Sequence, residues 1–209
     1  MAVASLNKLS VPVTGGAQNE GMLMPKLKYR FRVTLENFGV TTPRTELTKQ
    51  VMTCTRPEVS FETITLDVYN SKIKYAGKPS WADATLVVRD DVSNAVSRLV
   101  SEQLQKQFDF FEQASASSGI DYKFSAVIEL LDGGNGAYTP TTLETWTLYG
   151  CYLNKVTYQG GDYKSSDPMD ITMTLTFDNA VQTAANITGD SVKRATFSAA
   201  SAQATGQGK

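Results

Sequence analysis

Residues 59–81 read VSFETITLDVYNSKIKYAGKPSW, a stretch rich in β-branched and aromatic residues. Such residues favour extended strands, and Asn70-Ser71 near the middle supplies turn-forming side chains. The stretch therefore predicts a long β-hairpin. Apolar and polar residues do not alternate cleanly over its whole length, so we expect both of its sides to be covered by something other than water.

Further strands are predicted on both sides of this hairpin. Before it, KLKYRFRVTL (26–35) alternates with period two, and KQVMTCT (49–55) predicts a second short strand that ends at Arg56-Pro57. After it, ADATLVVRD (82–90) predicts another strand. The alternation places these residues on the apolar faces of the first and last of these strands: Leu27, Tyr29, Phe31, Val33 and Leu35, and then Ala84, Leu86 and Val88.

One helix is predicted after Asp90-Asp91, where the apolar period changes to 3.6 residues. Its stripe is Val92, Val96, Leu99, Val100, Leu104, Phe108 and Phe111. Asp91 or Ser93 can cap its start, and residues 115–119 end it. Strands resume over residues 122–131, where Tyr122, Phe124, Ala126, Ile128 and Leu130 alternate with polar residues, and over residues 142–158 and 169–178. The last of these strands has Ile171, Met173, Leu175 and Phe177 inward. The fold class is mainly β: a β-barrel or sandwich of about seven strands with one inserted α-helix.

The chain has 209 residues, which corresponds to one domain with extensions. We assign residues 1–25 to an N-terminal extension without sustained periodicity, residues 26–179 to the β domain and residues 180–209 to a polar C-terminal tail. No segment approaches the roughly 20 apolar residues that cross a bilayer, and the first residues lack the apolar block of a signal peptide. We therefore expect synthesis in the cytosol and no membrane partner.

The composition removes most catalytic chemistry. The chain contains no histidine and two cysteines, which excludes Ser-His-Asp and Cys-His machinery and the usual zinc sites. Cys54 and Cys151 lie among apolar residues and are interpreted as buried free thiols, with a disulfide or a reactive role as the alternative. We expect no catalytic residue, no metal site and no cofactor. A net charge of -1 also argues against tight nucleic-acid binding.

Three local patterns have structural interpretations that are simpler than functional ones. Gly133–Gly136 is followed by a strand rather than by a helix N-terminus, so it predicts a hairpin loop and not a phosphate site. Asp90-Asp91 predicts a helix start, with a carboxylate pair for acid–base work as the alternative. Asp162, Asp167 and Asp170 are interpreted as loop residues.

Four basic residues alternate along the predicted first strand: Lys26, Lys28, Arg30 and Arg32. Such a face is either a solvated strand edge or the counterpart of an acidic surface on a neighbouring subunit or another protein. Nucleic-acid binding is disfavoured, because Tyr29 and Phe31 are predicted on the opposite face and cannot stack bases among these cations.

The region from Lys49 to Asn179 resembles the tail tube protein of contractile-tailed bacteriophages, which shares its general fold with the haemolysin-coregulated protein of type VI secretion. The residues that carry the resemblance are Cys54, Pro57, Asn70, Lys72, Ile73, Ala76, Gly77, Trp81, Asp83, Leu86, Val88, Asp90, Tyr122, Lys123, Ser125, Ala126 and Ile128, and the closing segment SSDPMDITMTLTFD (165–178). The long N-terminal extension and the polar tail depart from the family pattern.

The resemblance implies hexameric rings whose sheets join into a continuous inner barrel and which stack into a tube inside a contractile sheath. It implies a non-enzymatic virion protein that conducts DNA into the host and is assembled in the bacterial cytoplasm. Implied partners are further copies of the chain, the tail sheath protein, the tape measure protein, transiting DNA without tight binding, and baseplate and tail terminator proteins. The alternative is a baseplate, tail-completion or secretion-system ring protein of the same fold.

The resemblance also implies a role for the long hairpin, which in this family reaches the next ring. The residues implied in ring stacking are Leu66, Val68, Tyr69, Asn70, Lys72, Ile73, Tyr75, Ala76 and Gly77. The basic residues 26–32 are then candidates for a contact with a neighbouring subunit or with the sheath.

Overall fold

The computed structural model of the chain describes residues 25–41, 45–133 and 140–183. The helices in these ranges are α1 (Thr45–Gln50), α2 (Ala95–Gln107) and α3 (Gly119–Tyr122). The strands are β1 (Phe31–Glu36), β2 (Val51–Cys54), β3 (Val59–Val68), β4 (Ser71–Trp81), β5 (Ala84–Arg89), β6 (Phe108–Asp109), β7 (Ala114–Ser115), β8 (Phe124–Leu131), β9 (Thr142–Tyr158), β10 (Asp170–Thr176) and β11 (Asn179–Thr183).

Seven antiparallel strands form two layers that share β9. The strand order is β1-β8-β9-β10-β5-β2, and β11 also pairs with β9. The first part of β9 pairs with β8 and β11, whereas its last residues pair with β10. Over the described ranges β1 and β2 do not pair with each other. The fold is therefore mainly β and sandwich-like, as the sequence predicts, and the described residues do not form the closed barrel that the sequence also allows.

The core lies between the two layers and under α2. The predicted alternation is confirmed on the central strands, whose inward residues are almost completely buried. They are Ala84, Leu86 and Val88 on β5, Phe124, Ala126 and Ile128 on β8, and Ile171, Met173 and Leu175 on β10. The buried side of α2 is Val96, Leu99 and Val100. Burial of this apolar surface is the main source of stability, at roughly 25 cal/mol per Å².

The strand β9 changes layers at Gly150. This residue has φ of +68°, a region that side chains other than glycine rarely adopt. A Cβ atom at this position would lie 2.1 Å from Oδ2 of Asp178, whose carboxylate accepts a hydrogen bond from Lys123 at 2.6 Å. The positive φ therefore favours glycine at the bend, and a side chain here would also have to displace the Asp178 carboxylate from its contact with Lys123.

The helix α2 is shorter than the predicted stripe. It begins after Asn94, which has φ of 60°, and it ends before Phe108, so Val92 and Phe111 are exposed rather than buried. The predicted cap is confirmed in part: Oδ1 of Asp91 accepts hydrogen bonds from the first backbone N–H groups of the helix, at Ala95 and at the following residue. Carboxylates stabilise helix starts in this way.

Polar side chains of α2 fasten two neighbouring segments. The buried amide of Gln103 accepts a hydrogen bond from the N–H of Gly39 and donates one to the carbonyl of Tyr122. The carboxylate of Glu102 accepts three hydrogen bonds from the backbone and side chain at residues 40–41, one of them from the hydroxyl of Thr41 at 2.6 Å. The helix therefore determines where the chain runs after β1.

The first strand begins at Phe31, so the prediction of a strand from Lys26 is wrong for its first residues. A turn closed by the hydrogen bond from Arg30 N–H to the carbonyl of Leu27 precedes it. Tyr29 is consequently exposed instead of inward, whereas Val33 and Leu35 are buried as predicted. A local hydrogen bond has replaced the strand pairing that the alternation alone suggested.

Three other assignments need correction. The segment before β2 is the short helix α1, and α3 precedes β8, so the structure has three helices in the described ranges instead of one. Residues 180–183, assigned to the polar tail, continue the sheet as β11. The rest of that tail, residues 1–24 and residues 134–136 of the predicted glycine loop lie outside the described residues.

A buried carboxylate links four parts of the chain at one end of the sandwich. Glu144 on β9 accepts hydrogen bonds from Lys26 Nζ at 2.5 Å, Trp146 Nε1 at 2.6 Å and Gln182 Nε2 at 3.0 Å. Arg56 lies 3.6 Å away. Burial raises the pKa of Glu144, but the bonds from Lys26 and Trp146 and the charges of Lys26 and Arg56 outweigh burial, so the pKa lies below its usual value.

We expect Gly150→Ala to lower the free energy of unfolding by about 2 kcal/mol or more, because it combines a left-handed backbone with a steric clash. Gly160→Ala is the matched control, since a Cβ there meets no atom within 4 Å. That control should change stability by less than about 0.5 kcal/mol. Urea unfolding measures both, and equal effects of the two substitutions would contradict the account of the bend.

We expect Glu144→Gln to lower the free energy of unfolding at pH 7 by about 1–2 kcal/mol, because hydrogen bonds to a charged group are weakened. The pKa of Glu144 is lower in the folded than in the unfolded state, so the ionised carboxylate stabilises the fold. This contribution is fully present above the unfolded-state pKa and is lost as the pH falls through the folded-state pKa. The difference between wild type and variant should therefore shrink on acidification. A pH-independent difference in urea unfolding would contradict this. Glu129→Gln, at the more exposed pair with Arg32, is the control.

Candidate assembly surfaces

The hairpin β3–β4 forms a two-stranded sheet separate from the sandwich. Its two strands are joined by the two-residue turn Tyr69-Asn70, and Tyr69 at the tip is 99% exposed. At its base, Ala82 N–H donates to the carbonyl of Glu58. Trp81 also packs against Phe177, with ring centroids 5.7 Å apart. The hairpin is thus anchored at one end.

The outer part of the hairpin has one apolar and one polar face. Cross-strand pairing places Leu66 opposite Ile73 and Ile64 opposite Tyr75. With Val68, these side chains are between 42% and 52% exposed. The other face carries Thr63, Thr65, Asp67, Lys72, Lys74 and Ala76. Apolar and polar residues therefore alternate regularly in this part of the hairpin, although they do not over its whole length.

The mixed sequence pattern has a structural cause. A register shift between Phe61 and Thr63 interrupts the pairing, and Gly77 lies beside it. Near the base, Val59 pairs with Trp81 and Phe61 with Pro79, on the face that is polar further out. The apolar side therefore changes face along the hairpin, which a simple alternation does not reveal.

The nine residues implied in ring stacking all lie on this hairpin. Leu66, Val68, Ile73 and Tyr75 contribute to the apolar face, and Tyr69 and Asn70 form the turn. Lys72 and Ala76 lie on the polar face, and Gly77 lies beside the register shift. Ile64 also belongs to the apolar face, although the resemblance does not imply it in ring stacking. Its pairing with Tyr75 across the hairpin identifies it as part of this face.

The four basic residues do not form one strand face. Lys26 binds Glu144, Arg30 donates to the carbonyl of Asp132 at 2.6 Å, and Arg32 donates to Glu129 at 2.6 Å. Lys28 is exposed at the turn before β1. Two of the four positive charges are therefore paired with carboxylates of the same chain.

A groove of about 710 Å³ separates β1 from β2. Its lining includes apolar side chains of both strands and of β8, among them Phe31, Val51 and Leu130. Lys26, Lys28 and Arg56 also contribute to it. The sequence does not predict this groove directly, because the groove is formed by strands that become neighbours only in the folded chain.

The remaining candidates have structural roles in the parts of the chain that the structure describes. Cys54 and Cys151 are free thiols, as predicted, but only Cys151 is fully buried, whereas Cys54 is partly buried; burial raises the pKa of each to about 12. Asp162 and Asp167 accept local hydrogen bonds within the loop before β10. No group of three or more acidic or cysteine side chains in the described ranges is arranged to hold a metal ion. None of the described helices has the length and apolar character to span a membrane.

A second exposed apolar feature is the small hairpin β6–β7 at the end of α2. Phe111 in its turn is 93% exposed, and Phe110 packs edge-on against Phe108 with ring centroids 5.5 Å apart. The helical stripe predicted Phe108 and Phe111 as core residues. The chain leaves the helix at Phe108 and turns outward, which exposes Phe111.

No protein-family model matches the sequence, and no curated protein matches it. Solved structures do match. The tube-terminating cap of the anti-feeding prophage, determined by cryo-EM, is 18% identical with a TM-score of 0.56, covering 78% of this chain and 94% of that chain. A chain in the extended sheath–tube complex of an extracellular contractile injection system is 19% identical, with a TM-score of 0.54. The match covers 77% of this chain and 92% of that chain. The sheath/tube terminator of such a system is 19% identical, with a TM-score of 0.56. The match covers 78% of this chain and 100% of that chain. The chain therefore has a tail tube-like fold, as the resemblance predicts.

Proposed function

We propose that this chain is a non-enzymatic structural subunit that polymerises as stacked hexameric rings into the inner tube of a contractile tail. The tube is the conduit through which DNA is ejected into the host. The similarity in fold to a sheath–tube complex supports this role. The observation that carries it is the hairpin β3–β4, whose apolar face is exposed in the single chain.

An exposed apolar face of this kind favours association. Five large side chains that are about half exposed are unusual on one projecting element of a monomer. Burial against a neighbouring ring would remove this surface from water, while the polar face could stay hydrated. Free strand edges such as that of β11 are the elements expected to join sheets between subunits of one ring.

The proposed partners follow from this position in a tail. They are other copies of the chain, the sheath protein around the tube, the tape measure protein and DNA inside it, and the baseplate and terminator proteins at its ends. A net charge of -1 is compatible with passage of DNA without tight binding. The proposed location is the virion, after assembly in the cytoplasm of a bacterial host.

A second candidate function is a ring that ends a tube or belongs to a baseplate. Two of the similar structures are described as a cap and as a terminator, which supports this alternative. Negative-stain electron microscopy of the purified chain separates the two functions. Long hollow cylinders support the tube subunit, whereas isolated rings under all conditions favour the terminator or baseplate role.

We expect Leu66→Lys to abolish tubes or to raise the concentration needed for polymerisation at least about tenfold, which corresponds to about 1.4 kcal/mol. A charged side chain at the centre of the apolar face would be desolvated in the contact. The fold should survive, because Leu66 is 50% exposed in the single chain. Electron microscopy and light scattering measure assembly, and circular dichroism measures folding.

Thr65→Lys is the matched control, because it adds the same charge one residue away on the polar face. It should leave polymerisation close to wild type. Equal loss of assembly in both variants, or in neither, would contradict the proposed role of the apolar face.

Lys28 is the basic residue best placed for an external contact, since the other three bind within the chain. We expect Lys28→Glu to weaken assembly with the sheath or with neighbouring subunits several-fold at low salt, and less at high salt because surface charges are screened. Sedimentation of tubes with sheath protein measures this. Lys164→Glu, in the loop before β10, is the control. An unchanged tube length and sheath affinity would refute the contact.

A further inference from the structure

The small hairpin β6–β7, residues 108–115, carries two adjacent phenylalanines at the surface. Its strands pair Phe108 with Ser115 and Asp109 with Ala114, so residues 110–113 form the turn. Phe111 is 93% exposed and Phe110 is 57% exposed. We call residues 108–115 the aromatic knob. Aromatic side chains that a partner buries are frequent anchors of protein–protein contacts.

The turn of the aromatic knob is held in one conformation by side chains. Oδ1 of Asp109 accepts hydrogen bonds from the N–H groups of Phe111 at 2.9 Å and of Glu112 at 3.3 Å. The N–H of Phe110 donates to Oε1 of Gln105 on α2 at 3.3 Å. The knob therefore holds Phe111 outward before any partner binds, and a preorganised contact loses little conformational entropy on association.

The charge of the aromatic knob sets it apart from the long hairpin β3–β4. Residues 108–115 contain two acidic residues, Asp109 and Glu112, and no basic one. Residues 59–81 of the long hairpin contain two acidic and three basic residues. A surface that accepts the knob should therefore combine apolar side chains with a basic rim.

The groove between β1 and β2 is such a surface. It is lined by apolar side chains of β1, β2 and β8 and by three basic ones, Lys26, Lys28 and Arg56. The carboxylate of Glu144 lies against two of these cations and offsets one positive charge, so the rim stays positive. The volume of about 710 Å³ is within the range of pockets that take drug-sized molecules, which is enough for two phenyl rings.

We propose that the aromatic knob of one copy of this chain inserts Phe110 and Phe111 into the groove between β1 and β2 of a second copy. The exposure of Phe111 shows that the knob does not fill the groove of its own chain. The carboxylates of Asp109 and Glu112 then face the basic rim of the second copy.

This contact joins two different patches of identical chains, so it is heterologous and produces a ring when the rotation between copies closes. The inference rests on the proposed function and names the surfaces that join neighbours within one ring, whereas the hairpin β3–β4 is proposed to contact the next ring.

Photo-crosslinking of the full chain tests the contact directly. The residue p-benzoylphenylalanine replaces Phe111, which is exposed and contributes little to the core. Mass spectrometry of a mixture of unlabelled and ¹⁵N-labelled chains should find crosslinks between chains, to peptides containing Phe31, Val51 or Leu130. Crosslinks within one chain, crosslinks only to other surfaces, or the absence of crosslinks in assembled protein would overturn the proposal.

Charge exchange tests the electrostatic part of the contact. Glu112→Lys and Lys28→Glu should each lower the fraction of chains in rings several-fold at low salt, and the double variant should recover most of the loss. Asp162→Lys combined with Lys28→Glu is the control and should recover nothing, because Asp162 lies in the loop before β10. Sedimentation velocity measures rings, and circular dichroism measures folding. Equal recovery in both double variants, or in neither, would overturn the pairing of knob and groove.

The same samples distinguish this inference from the proposed function. Rings that contain the knob–groove crosslink but never stack under any condition would refute the tube function and keep the contact. Tubes that form with the knob outside the groove would refute the contact and keep the tube function. Electron microscopy of the crosslinked samples separates these two outcomes.

Discussion

The bend of β9 at Gly150 is the constraint on which the two-layer architecture depends. A strand of 17 residues can serve both layers only if it changes direction, and the change takes place where φ is positive and a side chain is absent. The carboxylate of Asp178 fills the space beside the glycine and is itself held by Lys123. The bend also determines which strands join which layer, because β8 and β11 pair with the first part of β9 and β10 pairs with its last residues.

The buried carboxylate of Glu144 brings together three side chains that lie far apart in the sequence. Lys26 lies at the start of the described chain, Gln182 lies at its end, and Arg56 lies just before the hairpin β3–β4. All three contact the same side chain or lie within 4 Å of it. An isolated buried carboxylate would be costly, and the surrounding donors and positive charges offset this cost. Both ends of the described part of the chain and the base of the hairpin are in this way held next to one side chain.

The sequence predicts those parts of the fold in which one face of a strand is buried and the other is not. Period-two alternation identified β5, β8 and β10 together with their inward residues, because a half-buried strand imposes that pattern. Prediction failed where local hydrogen bonds compete with periodicity, as at the turn before Phe31 and at the end of α2 after Gln107. It also failed on the hairpin, because the register shift moves the apolar side chains from one face to the other. The groove and the Glu144 contacts join separate segments of the sequence, with Lys26 and Glu144 118 residues apart, so no local pattern can indicate them.

The hairpin β3–β4 has a consequence for how this protein completes its folding. A two-stranded hairpin is marginally stable in water when nothing covers it. Its apolar side chains in the single chain gain only part of the burial that core residues such as Met173 obtain. A surface that covers this face supplies the missing burial, and so it stabilises the hairpin in the same step in which it binds. Association and the last stage of folding are then thermodynamically linked, and stability measured on the isolated chain underestimates the stability of this element in a complex.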